Sequence, residues 1–155
     1  MDLVNKMDRD IYKNCLEFKR KYPFTVAWRL KAHSSVIQKH INDDEVVLYT
    51  FCGQYNRKFY EIFFTSVFVF TNKRLIIGRK GLFGQYSFIS VTPDMMNDFE
   101  VRAHLLWGEI EIDTIKEKII VTNLSKKCLD EVETATSKYM MNEKLRLMRK
   151  KRKED

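Results

Sequence analysis

The feature that most constrains the fold is a series of short strand patterns followed by one long helical pattern. Between Glu45 and Thr122, about seven stretches rich in β-branched and aromatic residues are separated by breaks that contain Gly, Asn, Asp or Pro. A helical spacing of apolar residues follows from Ser125 onwards. An antiparallel sheet leaves edges and an open end, which an amphipathic helix directly after the last strand can cover. This order predicts a mainly β fold, α+β overall, in which a seven-stranded bent antiparallel sheet or partly open barrel is capped by a C-terminal helix.

The breaks define the individual strands. Gly53, Gly81 and Gly108 are predicted to lie in turns, and Ser125 is the predicted N-cap of the last helix. The predicted strands cover residues 46–51, 61–71, 74–78, 86–91, 99–107, 109–113 and 119–121.

Two further helical patterns precede the strands. In the first, over residues 11–22, apolar side chains recur every three or four positions, and Pro23 ends the helix because the residue before a proline disfavours the helical conformation. The second helix is predicted over about residues 24–41. Together they form an N-terminal helical hairpin that packs either on the barrel or on a partner, and the sequence leaves both arrangements open.

The net charge of +7 is unevenly distributed. Residues 1–44 carry +3, residues 45–142 are neutral and residues 143–155 carry +4. A basic chain favours a polyanionic partner, and here the excess charge belongs to the two ends rather than to the strand region. The predicted parts are a helical hairpin at 1–42, a sheet domain at 43–142 and a basic tail at 143–155 that continues the last helix.

Several segments of the strand region resemble a known family. The run from Phe70 to Ile77, followed by residues 81–84 (GLFG), is similar to the strand–turn–strand signature of bacterial pleckstrin-homology-like domains, including the prophage YokE-like group. The hairpin at 105–112 and the strand entry at 43–48 fit the same family, and the resemblance covers roughly residues 42–142. It implies a barrel of the pleckstrin-homology type that serves as a binding or self-association module.

Four cations in loops are a candidate anion site. Eukaryotic relatives of this fold often bind inositol phosphates through basic residues around the loop after the first strand. That loop contains Arg57 and Lys58 here, while Arg79 and Lys80 follow the third strand. Such cations can hold a phosphate by charge-assisted hydrogen bonds. We favour the alternative that they are solvated turn residues, because the spaced pattern of phosphoinositide binders is missing and the sheet domain is neutral.

The basic tail is the sharper candidate. Met141, Leu145 and Met148 have helical spacing beside seven cations. Such a segment can lie on an anionic membrane surface, neutralise the phosphates of RNA or DNA, or serve as a solubilising helix end. The basic run lacks the interleaved aromatic residues that favour binding of single-stranded nucleic acid, so we favour the membrane surface over nucleic acid as the partner of the tail. The seven cations are Lys144, Arg146, Arg149, Lys150, Lys151, Arg152 and Lys153.

The sequence contains no catalytic motif that we can identify. CxxC, HExxH, GxSxG and phosphate-cradling glycine loops are all missing, so neither an enzyme nor a metal or cofactor site is predicted. His33 and His40 lie about 10 Å apart along a predicted helix, too far to share a metal ion directly. Glu109, Glu111 and Asp113 share one strand face, which gives either a weak divalent-cation site or, as we favour, an exposed polar face.

We therefore expect a non-enzymatic binding or scaffolding module that acts through protein–protein contacts or self-association. Residues 62–70 are apolar on both faces of a strand, so the hairpin or another subunit must cover one face. The N-terminal residues lack the apolar centre of a signal peptide and the three cysteines are isolated, so we expect a cytoplasmic protein that becomes peripheral at the inner membrane face if the tail binds there. The alternative is an RNA- or DNA-associated accessory protein that uses the tail.

Overall fold

The structure confirms the predicted architecture. The computed structural model describes residues 7–55 and 65–155, which form an open antiparallel sheet with a C-terminal helix and two N-terminal helices. The strand order in this seven-stranded sheet is β4-β3-β2-β1-β7-β6-β5. The elements are α1 (Ile11–Lys21), α2 (Leu30–His40), β1 (Val47–Tyr55), β2 (Thr65–Thr71), β3 (Leu75–Lys80), β4 (Tyr86–Val91), β5 (Met96–Ala103), β6 (Trp107–Thr114), β7 (Lys118–Ser125) and α3 (Leu129–Glu154), with short 3-10 turns at Pro93–Met95 and Lys126–Cys128.

The sheet divides into two halves where β1 meets β7. Within the described residues these strands pair at two positions, Gln54 and Tyr55 of β1, so the halves diverge along the rest of β1. α3 packs on the inner face, where the ring of Tyr139 lies 4.6 Å from that of Phe70. The inner face therefore holds an aromatic core that the C-terminal helix covers.

The N-terminal helices pack on the sheet, α1 against β1 and α2 against β2 and β3 on the face opposite to α3, and this settles the arrangement that the sequence left open. α2 crosses β3 so closely that a Cβ at Gly78 would lie 2.5 Å from Ile37 Cγ1 and 3.2 Å from the His33 carbonyl oxygen. Ile37 and His33 are fully buried, and on α1 the Asn14 side chain donates to Thr50 Oγ1 at 3.4 Å. The hairpin and the sheet share one core.

The second helix starts later than predicted, because residues 24–29 form a non-helical segment, here called the strap, across the divide in the sheet. At one end of the strap, the Ser125 N–H donates to Thr25 Oγ1 at 3.0 Å. At the other end, the Trp28 N–H donates to Thr65 Oγ1, also at 3.0 Å. These hydrogen bonds join the strap to β7 in one half of the sheet and to β2 in the other. If residues 24–29 were helical, these hydrogen bonds to β7 and β2 would be lost.

The turn between β5 and β6 also differs from the prediction. It lies at residues 104–106, whereas Gly108 is inside β6, where a Cβ would lie 2.8 Å from the Arg102 carbonyl oxygen. Leu105 and Leu106 are consequently exposed at the hairpin tip, by 87% and 55%, and do not continue the strand alternation. Gly108 is required here for close packing rather than for a turn.

The predicted roles of Gly53 and Ser125 are wrong for a similar reason. Gly53 lies inside β1, which extends to Tyr55, and a Cβ there would lie 2.7 Å from Val121 Cγ1. Ser125 makes no side-chain cap, and a 3-10 turn separates it from α3. Both positions are determined by contacts with residues distant in sequence.

Some of the sequence predictions lie outside the described residues. These are Arg57, Lys58 and the part of the second predicted strand that precedes Thr65. Every residue of β2 itself is buried, in agreement with a strand that is covered on both faces. Among the helices of residues 7–55 and 65–155, none combines the length and apolar character needed to cross a membrane.

Candidate functional site

The seven tail cations lie on the last turns of α3, which runs through the tail as one continuous helix. Two of them contact the sheet domain: Lys144 Nζ lies 3.5 Å from the Asn97 carbonyl oxygen, and Arg146 Nη1 lies 3.4 Å from that of Asn72. The other five are exposed, and none of them forms an ion pair with any part of the chain that the structure describes. These five are Arg149, Lys150, Lys151, Arg152 and Lys153.

An exposed apolar stripe runs along the same helix. Met141, Leu145 and Met148 are 61%, 49% and 58% exposed, and at about 100° per residue they fall on one side of the helix. The buried residues Tyr139 and Glu143 fall on the opposite side, against the sheet. The stripe is therefore a second apolar face that points away from the sheet. Sequence spacing finds its three members but does not show which face of α3 is covered.

The candidate anion loop is described only in part. Arg57 and Lys58 lie outside the described residues, while Arg79 and Lys80 end β3 and are partly buried. The structure adds Arg29 of the strap, whose Nη1 donates to the Lys80 carbonyl oxygen at 2.9 Å. No sequence pattern indicates Arg29, since it lies about 50 positions away from the residue that it binds.

His33 lies buried beside this loop. Its Nδ1 accepts the Lys80 N–H at 2.9 Å, and its Nε2 lies 3.3 Å from Thr65 Oγ1. Burial lowers the pKa of His33 to about 4, with further lowering by Arg29 and Arg79. A ring whose Nδ1 accepts a hydrogen bond is neutral at this position, so His33 joins α2 to β2 and β3 as a structural residue.

This histidine should make the stability of the protein depend on pH. The pKa of His33 is about 4 in the folded state against an ordinary value of 6.5, so the unfolded chain binds more protons between these values. Stability that is present above pH 6.5 should be lost as the pH falls towards 4. His33→Gln should flatten this part of the curve in urea titrations over that pH range, whereas His104→Gln, at an exposed position, should leave it unchanged. Parallel curves for the wild type and His33→Gln would contradict the assignment.

Two hairpin tips expose large apolar side chains that the sequence patterns placed in turns or strands. Leu82 and Phe83, between β3 and β4, are 63% and 92% exposed. Trp107, beside the β5–β6 tip, is 39% exposed, and its Nε1 donates to the Phe24 carbonyl oxygen at 2.8 Å. The strap thus contacts the base of this hairpin as well as the sheet.

The carboxylates of β6 do not form the exposed polar face that we expected. The Arg102 guanidinium lies 2.6 Å from Glu109 and 3.1 Å from Glu111, and Lys118 lies 3.1 Å from Glu111. Hydrogen bonds from Lys118 and Arg102 lower the pKa of Glu111, which is only 9% exposed. These cations neutralise the charges that a divalent metal ion would require, and no group of three metal-ligating side chains occurs among the described residues.

One family model and two solved structures are similar to this chain. The family model for the bacterial PH domain matches residues 41–145. A DUF1696 family protein with a pleckstrin-homology domain from Shewanella loihica PV-4 is 26% identical, with a TM-score of 0.41 over 70% of this chain and 90% of that chain. A pleckstrin homology domain from Shewanella amazonensis SB2B is 21% identical, with a TM-score of 0.45 over 70% of this chain and 95% of that chain. No curated protein matches the chain.

Proposed function

The chain belongs to the bacterial PH domain family, and on this basis we propose that it is a non-enzymatic binding or scaffolding module held at an anionic membrane surface by its basic tail. In this proposal residues 43–142 form the module, the helices α1 and α2 of the 1–42 segment complete its core, and residues 143–155 bind the inner face of the membrane. The module acts through protein–protein contacts or self-association. The observation that carries the membrane role is the outward apolar stripe of α3 among exposed cations.

The apolar stripe is the feature that favours a membrane over RNA or DNA as the partner of the tail. Each Lys or Arg near an anionic bilayer contributes about 1 kcal/mol of attraction, and the same charges would serve equally well on RNA or DNA. Apolar side chains at the centre of a basic helical face add affinity at an acyl-chain boundary, whereas the phosphate backbone of a nucleic acid gives them no apolar surface to enter. Met141, Leu145 and Met148 have this arrangement, because they lie on the side of α3 that the sheet does not cover.

Removing the stripe should strongly weaken membrane binding although every charge is kept. We expect the triple variant Met141→Ser, Leu145→Ser, Met148→Ser to lose at least about 100-fold in partitioning to anionic liposomes, because full burial of each such side chain contributes about 1.5–3 kcal/mol. The measurement is co-flotation at near-physiological salt with vesicles of phosphatidylglycerol and phosphatidylcholine. Leu16→Ser, also at an exposed apolar position, is the matched control and should float like the wild type.

The nucleic-acid alternative gives a different set of results. A chain truncated after Asn142 should lose binding to liposomes and to a single-stranded RNA probe alike, since both would require the tail. Unchanged flotation of the triple serine variant, together with salt-dependent RNA binding by the full chain, would overturn the membrane role in favour of nucleic acid. Flotation that survives truncation would move the site to Arg57, Lys58, Arg79 and Lys80.

We also propose two finer assignments. The loop cations Arg57, Lys58, Arg79 and Lys80 are the secondary candidate for an anion site, behind their role as solvated turn residues. Substitution of all four residues by Gln would reduce phosphate binding if this is so. Within the family, we place the chain in the prophage YokE-like group, on the residues of the strand–turn–strand signature at 70–77.

A further inference from the structure

A groove of about 670 Å³ lies between the last strand of the sheet and the first two turns of α3. β5 forms one wall with Phe99, Val101 and Ala103, and α3 forms the other with residues that include Asp130 and Glu133. β5 is the terminal strand in the sheet order, paired with β6 on one side. The groove therefore runs along an edge that, among the residues the structure describes, has no neighbouring strand.

The hydrogen-bond pattern shows which backbone groups point into this groove. The His104 N–H donates to the Trp107 carbonyl oxygen, which makes these residues a hydrogen-bonded pair. In an antiparallel ladder such pairs alternate with non-hydrogen-bonded pairs, so Arg102 bonds to β6 and Val101 does not. The N–H and C=O groups of residues 99, 101 and 103 consequently face the open edge, and those of 98, 100 and 102 face β6.

One of these outward-facing N–H groups already has a hydrogen-bond acceptor. The Phe99 N–H donates to Asp98 Oδ1 at 2.8 Å. The N–H groups of Val101 and Ala103 have no acceptor within residues 7–55 and 65–155. Two donors about two residues apart on an edge strand are the pattern to which an added antiparallel strand bonds.

The charge of the groove indicates what such a strand would carry. Four exposed carboxylates line it, from Asp98 and Glu100 on β5 and from Asp130 and Glu133 on α3, against the single cation Lys126. Glu100 pairs with Arg102 at 3.2 Å, but Asp130 and Glu133 form no ion pair in the described part of the chain. The net negative charge of the groove favours a basic ligand at this surface.

We propose that this groove binds an extended basic segment of a partner protein, which adds to β5 as a further antiparallel strand. The backbone of the segment would bond to Val101 and Ala103, and alternate Lys or Arg side chains would reach Asp130 and Glu133. The inference rests on the proposed role as a binding module and assigns a partner class to the sheet domain. It does not involve the tail, so failure of liposome binding and failure of peptide binding are separate results.

The test uses a fluorescein-labelled decapeptide in which lysine alternates with valine or threonine, titrated against the full chain by fluorescence polarisation. Val101→Pro removes an outward N–H without breaking a bond to β6, and it should weaken binding at least about tenfold. Val101→Thr keeps the N–H and should bind like the wild type. Asp130→Asn with Glu133→Gln should weaken binding about tenfold, whereas Glu17→Gln with Asp43→Asn, at exposed sites elsewhere, should not.

Hydrogen exchange distinguishes strand addition from non-specific charge attraction. Saturating peptide should slow amide exchange at Val101 and Ala103 and leave the Lys150 amide, in the last turns of α3, unaffected. A peptide N-methylated at alternate residues keeps its charge and should fail to bind. Equal binding by the N-methylated peptide, or by Val101→Pro, overturns the proposal. A dimer of the full chain in sedimentation that Val101→Pro dissociates would also overturn it, because the edge would then belong to a second copy.

Discussion

Replacement of Arg74 by methionine should lower the free energy of unfolding by about 3–5 kcal/mol at neutral pH. The Glu45 carboxylate next to it is completely buried, with Arg74 Nη2 at 2.6 Å and Nε at 3.1 Å. Thr71 Oγ1 also donates to this carboxylate, at 2.7 Å. Removing the guanidinium would leave a buried charge without its counter-ion, which costs far more than the ion pair contributes net. Urea denaturation at neutral pH measures the change.

The effect of this substitution should shrink in acid. Burial alone would raise the pKa of Glu45, but hydrogen bonds from Arg74 and Thr71 outweigh it and hold the pKa below 4.5. In the wild type, the stability from this carboxylate is present above pH 4.5 and is lost as the pH falls through the lowered pKa. Without Arg74 burial dominates, so Glu45 takes up a proton at higher pH and the penalty is partly relieved.

The matched control is the neighbouring residue. Lys73 pairs with Asp44, and both side chains are largely exposed, by 43% and 68%. Lys73→Met should therefore change stability by less than about 1 kcal/mol. If the two methionine variants have similar stability at neutral pH, the buried ion pair at Glu45 does not have the role assigned to it.

Ile37→Ala should cost about 2–5 kcal/mol, the range for truncating a fully buried aliphatic side chain. Ile37 is 0% exposed and lies on α2 against Gly78 of β3. Because this contact joins the N-terminal hairpin to the sheet, the whole unfolding transition should shift as one cooperative step. Calorimetry or urea denaturation followed by near-UV circular dichroism measures the change.

Leu16→Ala is the comparison for this experiment. Leu16 is on α1 but is 46% exposed, so its truncation should change stability by about 0.5 kcal/mol or less. Equal, small effects of both substitutions would mean that the hairpin is not part of the core. An early, separate transition in Ile37→Ala alone would mean that the hairpin unfolds independently of the sheet.

The helices and strands could be predicted well from the sequence where the periodicity of the apolar residues matches the pattern of buried side chains. β4 has the predicted bounds, and α3 has the predicted spacing of buried residues. The errors occur where a contact distant in sequence determines the backbone. Thr25 lies in the strap because it bonds to a residue 100 positions away. Residue 108 is a glycine because Leu129 and the Arg102 carbonyl oxygen approach too closely for a Cβ, and not because the chain turns there.

The candidate sites also differ in how far the sequence predicts them, depending on whether they require contacts between distant residues. The tail cations are visible in the sequence, because a basic run needs no fold to be recognised. The orientation of the stripe is not, because Met141 and Tyr139 both fit a helical spacing until the packing of α3 against Phe70 shows which face is covered. The groove beside β5 could not be predicted at all, since it depends on which strand ends the sheet.

The continuity of α3 has a consequence for how the protein would meet a surface. A disordered basic tail would act as a tether, and the sheet domain would rotate freely at an effective concentration set by tether length. Here the cations are part of a 26-residue helix, about 39 Å long, whose first turns are packed into the core. The rotational freedom of the sheet domain relative to the stripe is therefore lost when the chain folds. A third molecule that binds the sheet domain would meet it in one fixed orientation to the bilayer, without a further entropic penalty for aligning it.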